Sequence, residues 1–112
     1  MKQYVIDQLR ESDYYRIRDY LDEQAEKTVF EEIYHVELPK ELYTEIQSAH
    51  SDCQPFYFAI NLNRNKLALA IEWLIRSRQT LRCDCVGYAS REQRDHIIHF
   101  ADGILEKLGI KV

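Results

Sequence analysis

Three runs of alternating apolar and polar or small residues lie back to back between positions 56 and 88, and they constrain this chain most. Phe56, Phe58, Ile60 and Leu62 alternate with Tyr57, Ala59 and Asn61. Leu67, Leu69, Ile71, Trp73 and Ile75 alternate with Ala68, Ala70, Glu72, Leu74 and Arg76. Leu81, Cys83, Cys85 and Gly87 alternate with Arg82, Asp84, Val86 and Tyr88. A period of two is that of a half-buried strand. Asn63-Arg64-Asn65-Lys66 and Ser77-Arg78-Gln79 between the runs have turn composition. The reading is an antiparallel meander with strands at 56–62, 67–76 and 81–88.

The middle run also fits a helical stripe through Leu67, Ala70, Ile71, Leu74 and Ile75. Register favours the strand. A four-residue loop sets Leu62 against Leu67, Ile60 against Leu69, Phe58 against Ile71 and Phe56 against Trp73, four apolar pairs of the kind that hold a sheet. A three-residue loop at 78–80 then sets Ile75 against Cys83 and Trp73 against Cys85. A slip of one residue in either hairpin turns an apolar set to the wrong face.

Around the meander the chain alternates element types. Residues 3–9 read as extended. Ser12 reads as an N-cap, and Tyr14, Ile17, Leu21 and Ala25 stripe a helix over 13–26. Residues 30–38 read as a strand ended by Pro39, with Phe30, Tyr34, Val36 and Leu38 inward and Ile33 and His35 on the other face. Leu42, Ile46 and Ala49 stripe a short helix over 40–50. Ser90-Arg91-Glu92-Gln93 has capping-box spacing, and Gly109 stands where a left-handed cap belongs. The last helix therefore spans 91–108, burying Ile97, Ala101, Ile104, Leu105 and Leu108. The expected fold is α+β: one two-layer domain over residues 1–112, with about four mostly antiparallel strands and helices on one face.

Composition excludes some functions. The 112 residues suffice for one core without staples. Apolar runs such as 67–71 are far too short to span a bilayer, and charges at Lys2, Asp7, Arg10 and Glu11 argue against a signal peptide. Three cysteines form no disulfide framework and suit a reducing compartment, so a cytoplasmic location without membrane partners is expected. Residues 1–56 carry 6 Lys/Arg and 13 Asp/Glu, and residues 57–112 carry 9 and 6, giving an acidic and a mildly basic half. The overall charge of −4 argues against nucleic acid as partner. None of the three glycines belongs to a phosphate-cradling motif.

No catalytic signature is legible, and neither a catalytic residue nor a cofactor site is assigned. Cys83-Asp84-Cys85 and the later His96 and His99 carry metal-ligating atoms. On a regular strand, however, Cys83 and Cys85 sit about 7 Å apart, and helical phase turns both histidines to water. The two cysteines then read as small core residues and no metal site is assigned. His50 and Cys53 lie three apart with nothing else in the sequence near them. The same register sets Arg76 opposite Arg82, with Arg78 in the turn and Arg91 and Arg94 opening the last helix. Together these form a candidate site for a small phosphate or carboxylate ligand. Tyr57, Ala59, Ala70, Leu74, Val86 and Tyr88 fall on the face away from that helix and form a candidate interface. The leading expectation is a non-enzymatic binding or interaction module that homodimerises through its sheet or takes a protein partner. An anion-binding or enzymatic domain using the arginines is the alternative. A metal or thiol-redox protein using Cys83, Cys85 and Cys53 is the second.

Overall fold

The run from Phe56 becomes the strand through the middle of the molecule. A computed structural model describes residues 1–112, with strands β1 (Gln3–Ile6), β2 (Glu26–Lys27), β3 (Ile33–Glu37), β4 (Phe56–Asn63), β5 (Ala68–Glu72), β6 (Leu74–Ser77) and β7 (Gly87–Tyr88). Helices α1 (Glu11–Gln24), α2 (Glu45–Ala49) and α3 (Arg91–Leu108) complete it, with single 3-10 turns at Lys40–Leu42 and Ser51–Cys53. The sheet runs β1-β5-β4-β3-β2, all antiparallel, and β6 pairs with both β4 and β7. The α+β class holds, with seven strands in place of about four.

The core lies between one face of the sheet and the two long helices. Phe58, Ile60, Leu62, Leu69, Ile71 and Tyr34 on the sheet meet Tyr14, Ile17 and Leu21 of α1 and Ile97, Ala101, Ile104 and Leu105 of α3. All belong to one buried cluster because every second strand residue and every third or fourth helix residue is apolar. Arg16 of α1 donates to the carbonyl of Leu108, tying the two helices together. Helix α3 spans the residues the sequence predicts, with both capping-box bonds in place and Gly109 at φ 67°. No helix is long and apolar enough to cross a membrane.

Several expectations are corrected. The middle run is extended, but Trp73 breaks it: its N–H donates to the Lys2 carbonyl and its carbonyl accepts from the Ala89 N–H. In the first hairpin Leu62 pairs with Leu69 and Ile60 with Ile71, two residues from the expected register. The turn closes at 64–67, where Leu67 takes φ 49° and Asn63 Oδ1 accepts from the Lys66 N–H. A shift of two keeps every side chain on its expected face. The third run is a strand only at Gly87–Tyr88, and Ile75 pairs with Gly87, not Cys83. Ser77 Oγ accepts from the N–H groups of Gln79 and Thr80, which opens a loop over 79–86 instead of a tight hairpin.

The flanking elements shift as well. Ser12 lies inside α1; Arg10 is the N-cap, without a side-chain cap bond. Phe30 belongs to the β2–β3 turn and is 65% exposed, not inward. The expected helix over 40–50 splits at Tyr43, where the backbone is extended, and α2 restarts from a Thr44 capping box. The break changes the helical phase, so Ile46 and Ala49 are exposed while Gln47 is buried.

One polar contact between the buried Tyr34 and the exposed Asp22 makes a testable anchor at the edge of the core. Tyr34 Oη donates to Asp22 Oδ1 at 2.6 Å, joining β3 to α1. This bond holds the Asp22 carboxyl below its ordinary range, and burial with the same bond raises the Tyr34 hydroxyl. A depressed carboxylate contributes stability that is present above its unfolded pKa and lost as pH falls through the folded value. Tyr34→Phe is expected to cost about 1.5 kcal/mol at pH 7, and the deficit should shrink below about pH 4. Urea melts of both proteins at pH 7 and pH 3 check this; an equal deficit at both values rejects the linkage.

Candidate metal centre

The site forms where two irregular segments meet at one end of the sheet. Helix α2 is five residues long, and its last turn passes straight into the 3-10 turn Ser51–Cys53. The Cys53 N–H donates to the His50 carbonyl at 3.0 Å. In a 3-10 turn residues three apart eclipse each other, so the His50 and Cys53 side chains share one side. Ser77 Oγ donates to the Cys53 carbonyl at 2.5 Å and pins this turn to β6.

The second segment is the 79–86 loop. The Val86 N–H donates to the Cys83 carbonyl at 3.0 Å, closing a turn over Cys83-Asp84-Cys85-Val86. Within it the Cys83 and Cys85 sulfurs come within 4.8 Å of each other. Two cysteines that a regular strand holds apart are thereby brought onto one point. Gln47 of α2 reaches over from the first segment, its Nε2 donating to the Cys85 carbonyl at 3.3 Å.

His50, Cys53, Cys83 and Cys85 each present one ligand atom, and these four atoms lie within 4.8 Å of one another. His50 Nδ1 is 3.1 Å from Cys83 Sγ. All three cysteines of the chain are in this cluster, each as a free thiol. Cys85 is buried, and the other three residues are half-buried. The Cys83 thiol is lowered to about 7, chiefly because the Cys85 N–H stabilises its thiolate, with His50 adding to the effect. Burial pushes Cys85 in the opposite direction.

This set fits a tetrahedral ion. Zinc binds thiolate at ~2.3 Å and imidazole at ~2.0 Å, which places its ligand atoms roughly 3.5–3.8 Å apart. To reach those separations the widest pairs, up to 4.8 Å apart, must close by about 1 Å, and the His50–Cys83 pair, at 3.1 Å, must open slightly. Three soft sulfurs and one imidazole complete a four-coordinate shell and disfavour hard cations such as magnesium or calcium.

Of the two premises that set a metal site aside in the sequence, the strand spacing of the cysteines does not survive, while the exclusion of His96 and His99 as ligands does. Cys83 and Cys85 occupy a turn, not a strand, so the ~7 Å strand spacing does not apply. His50 and Cys53 are joined by both remaining cysteines. His99 is exposed, whereas His96 is half-buried with its ring 6.4 Å from that of Phe58. Neither belongs to the cluster. The legible signal was the pair of short spacings, His50-x-x-Cys53 and Cys83-x-Cys85. What joins them is the long loop, which no periodicity announces.

The five arginines are not gathered. Arg76 pairs with Tyr57 across the sheet, not with Arg82, because the third run is looped where Arg82 lies. Arg76 bonds Glu72 at 2.9 Å, and Arg78 makes a two-pronged pair with Glu26 at 3.0 and 3.1 Å. Both line a groove of about 520 Å³ on the sheet face away from the helices, with Phe30, His35, Tyr57 and Ala59. Each of these two guanidiniums is matched by a carboxylate. Arg82 is exposed on the cysteine loop, and Arg91 and Arg94 are exposed in the first turn of α3.

Of the candidate interface residues, Tyr57, Ala59 and Ala70 share the face away from the helices with Val5, which is 47% exposed; Ala59 itself is buried, and Tyr57 and Ala70 are half-buried. Leu74 and Tyr88 instead pair with each other beyond the Trp73 break, and Val86 ends the cysteine turn. Comparison with protein-family models, curated proteins and solved structures finds no match for this chain.

Proposed function

We propose that this protein is a zinc-binding domain whose centre is His50, Cys53, Cys83 and Cys85. The observation that supports it is the convergence of four ligand atoms within 4.8 Å, drawn from two segments far apart in sequence. A four-ligand shell leaves no open position for water or substrate, so the metal's role in this reading is architectural. It clamps the 79–86 loop to the end of α2. Protein purified without affinity tag or chelator should contain close to one zinc per chain, with its thiols protected from a mild alkylating reagent. Metal-free protein whose three thiols alkylate freely, and which takes up no added zinc, overturns the proposal.

A second reading rests on the open sheet face. Both long helices lie on the other side, and Val29 and Phe30 project beside the groove at 95% and 65% exposure. An uncovered face with apolar residues at its rim suits association with a partner or a second copy. If this face self-associates, sedimentation at micromolar concentration should show a dimer that Phe30→Ser converts to monomer. A wild-type monomer throughout that range rejects self-association.

A further inference from the structure

Two buried glutamines lie behind the metal centre. Gln47 and Gln93 are 3% and 0% exposed, and each is the third residue of a helix that begins with a capping box. In both boxes the glutamine Oε1 accepts the N–H of its own N-cap residue, Thr44 or Ser90, at 3.0 Å. Capping thus occupies the oxygen of each amide and leaves its NH₂ group free to bond elsewhere.

Those two groups join separate elements. Gln93 Nε2 donates to the Leu42 carbonyl at 2.8 Å and to Gln47 Oε1 at 2.9 Å. Gln47 Nε2 donates in turn to the Cys85 carbonyl at 3.3 Å. A continuous line of hydrogen bonds therefore runs from the first turn of α3, through α2, to the peptide that carries the buried thiol. Glutamate would close either capping box equally well. It has no NH₂ to give, and its burial would carry the cost of desolvating a charge. The amides make contacts that capping alone does not require.

We propose that Gln47 is a positioning residue for the metal centre, a role that rests on the reading of the four-residue cluster as a metal site. Its amide holds the Cys85 carbonyl, and with it the turn that aims the Cys83 and Cys85 sulfurs at His50 and Cys53. Gln93 holds Gln47 in that orientation. Groups that orient metal ligands without touching the metal set its affinity and the symmetry of its field. Coupling is reciprocal, so metal binding stabilises the junction of α2 with α3.

Cobalt(II) is the probe, because its visible absorption reports tetrahedral thiolate coordination directly. Gln47→Glu keeps the capping oxygen and loses the donor; Gln47→Leu loses both. Each should bind cobalt about 10–100-fold more weakly than wild type, with visibly altered absorption bands. Thr44→Ala, which breaks the same capping box while sparing the amide, should lower thermal stability yet leave cobalt affinity within about threefold. For wild type, cobalt should slow hydrogen exchange in the first turns of α2 and α3, a measurement that needs no variant to fold. Gln47 variants that match wild type in affinity and spectrum overturn the positioning role. So does unchanged exchange at α3 on metal binding. A wild-type protein with no thiolate-to-cobalt band overturns the metal site itself, and the two failures are thereby told apart.

Discussion

Chelating the metal from zinc-loaded protein is expected to lower its unfolding midpoint by roughly 15 °C. Zinc held at a thousandfold over its dissociation constant adds about 4 kcal/mol to the folded state by mass action, and each kcal/mol moves the midpoint of a domain this size by about 4 °C. The effect should be a shift, not a collapse. Twenty buried residues form a core that includes the main sheet, α1 and α3. Only Cys85 among the four clustered residues belongs to that core. Metal-free protein should therefore keep its far-UV circular dichroism while the 79–86 loop and the Ser51–Cys53 turn lose protection from hydrogen exchange. Cys85→Ser should reproduce the shift, since one ligand is removed from a buried position. Calorimetry with and without a strong zinc chelator checks both. A midpoint unchanged by the chelator in protein shown to carry zinc would mean the ion contributes nothing to the fold.

Truncating Phe58 to alanine is expected to cost about 3–5 kcal/mol, as for large aromatic side chains in closed cores. Phe58 is 0% exposed and sits near the middle of β4, the strand that pairs with β3, β5 and β6. Its ring meets Phe100 of α3 edge-on at 5.8 Å, and the His96 ring at 6.4 Å. The cavity would open between sheet and helix, where neither layer can close it without moving the other. Against an ordinary total of 5–15 kcal/mol, such a loss removes a large part of the stability. Urea denaturation of both proteins gives the difference, and an unchanged slope shows that the unfolded states are alike. A loss below about 1 kcal/mol would mean that the site collapses around the truncated residue, as loosely packed positions can.

What local physics controls was legible in the residues. Ser90, Gln93 and Gly109 mark both ends of α3 because capping is decided within one turn. The alternation from Phe56 onward assigned each side chain of β4 and β5 to its face, and survived a two-residue error in register. Local signals gave less where a break resets the phase. Ile46 and Ala49 look like a buried stripe with Leu42, yet the extended backbone at Tyr43 turns them outward and Gln47 inward. The alternation around Cys83 and Cys85 is a pattern without a strand beneath it, because Ser77 captures two loop N–H groups and no partner strand lies alongside.

By itself, the sequence determined the α+β class, the inner faces of the central strands and the span of the last helix, since each rests on contacts between near neighbours in the chain. Only the tertiary structure brought His50 and Cys53 to Cys83 and Cys85, and Gln47 to Gln93. Those meetings depend on how a loop of irregular backbone closes over the end of a helix. Closure of that kind is fixed by distant hydrogen bonds from Ser77 and Gln47, which carry no periodic trace.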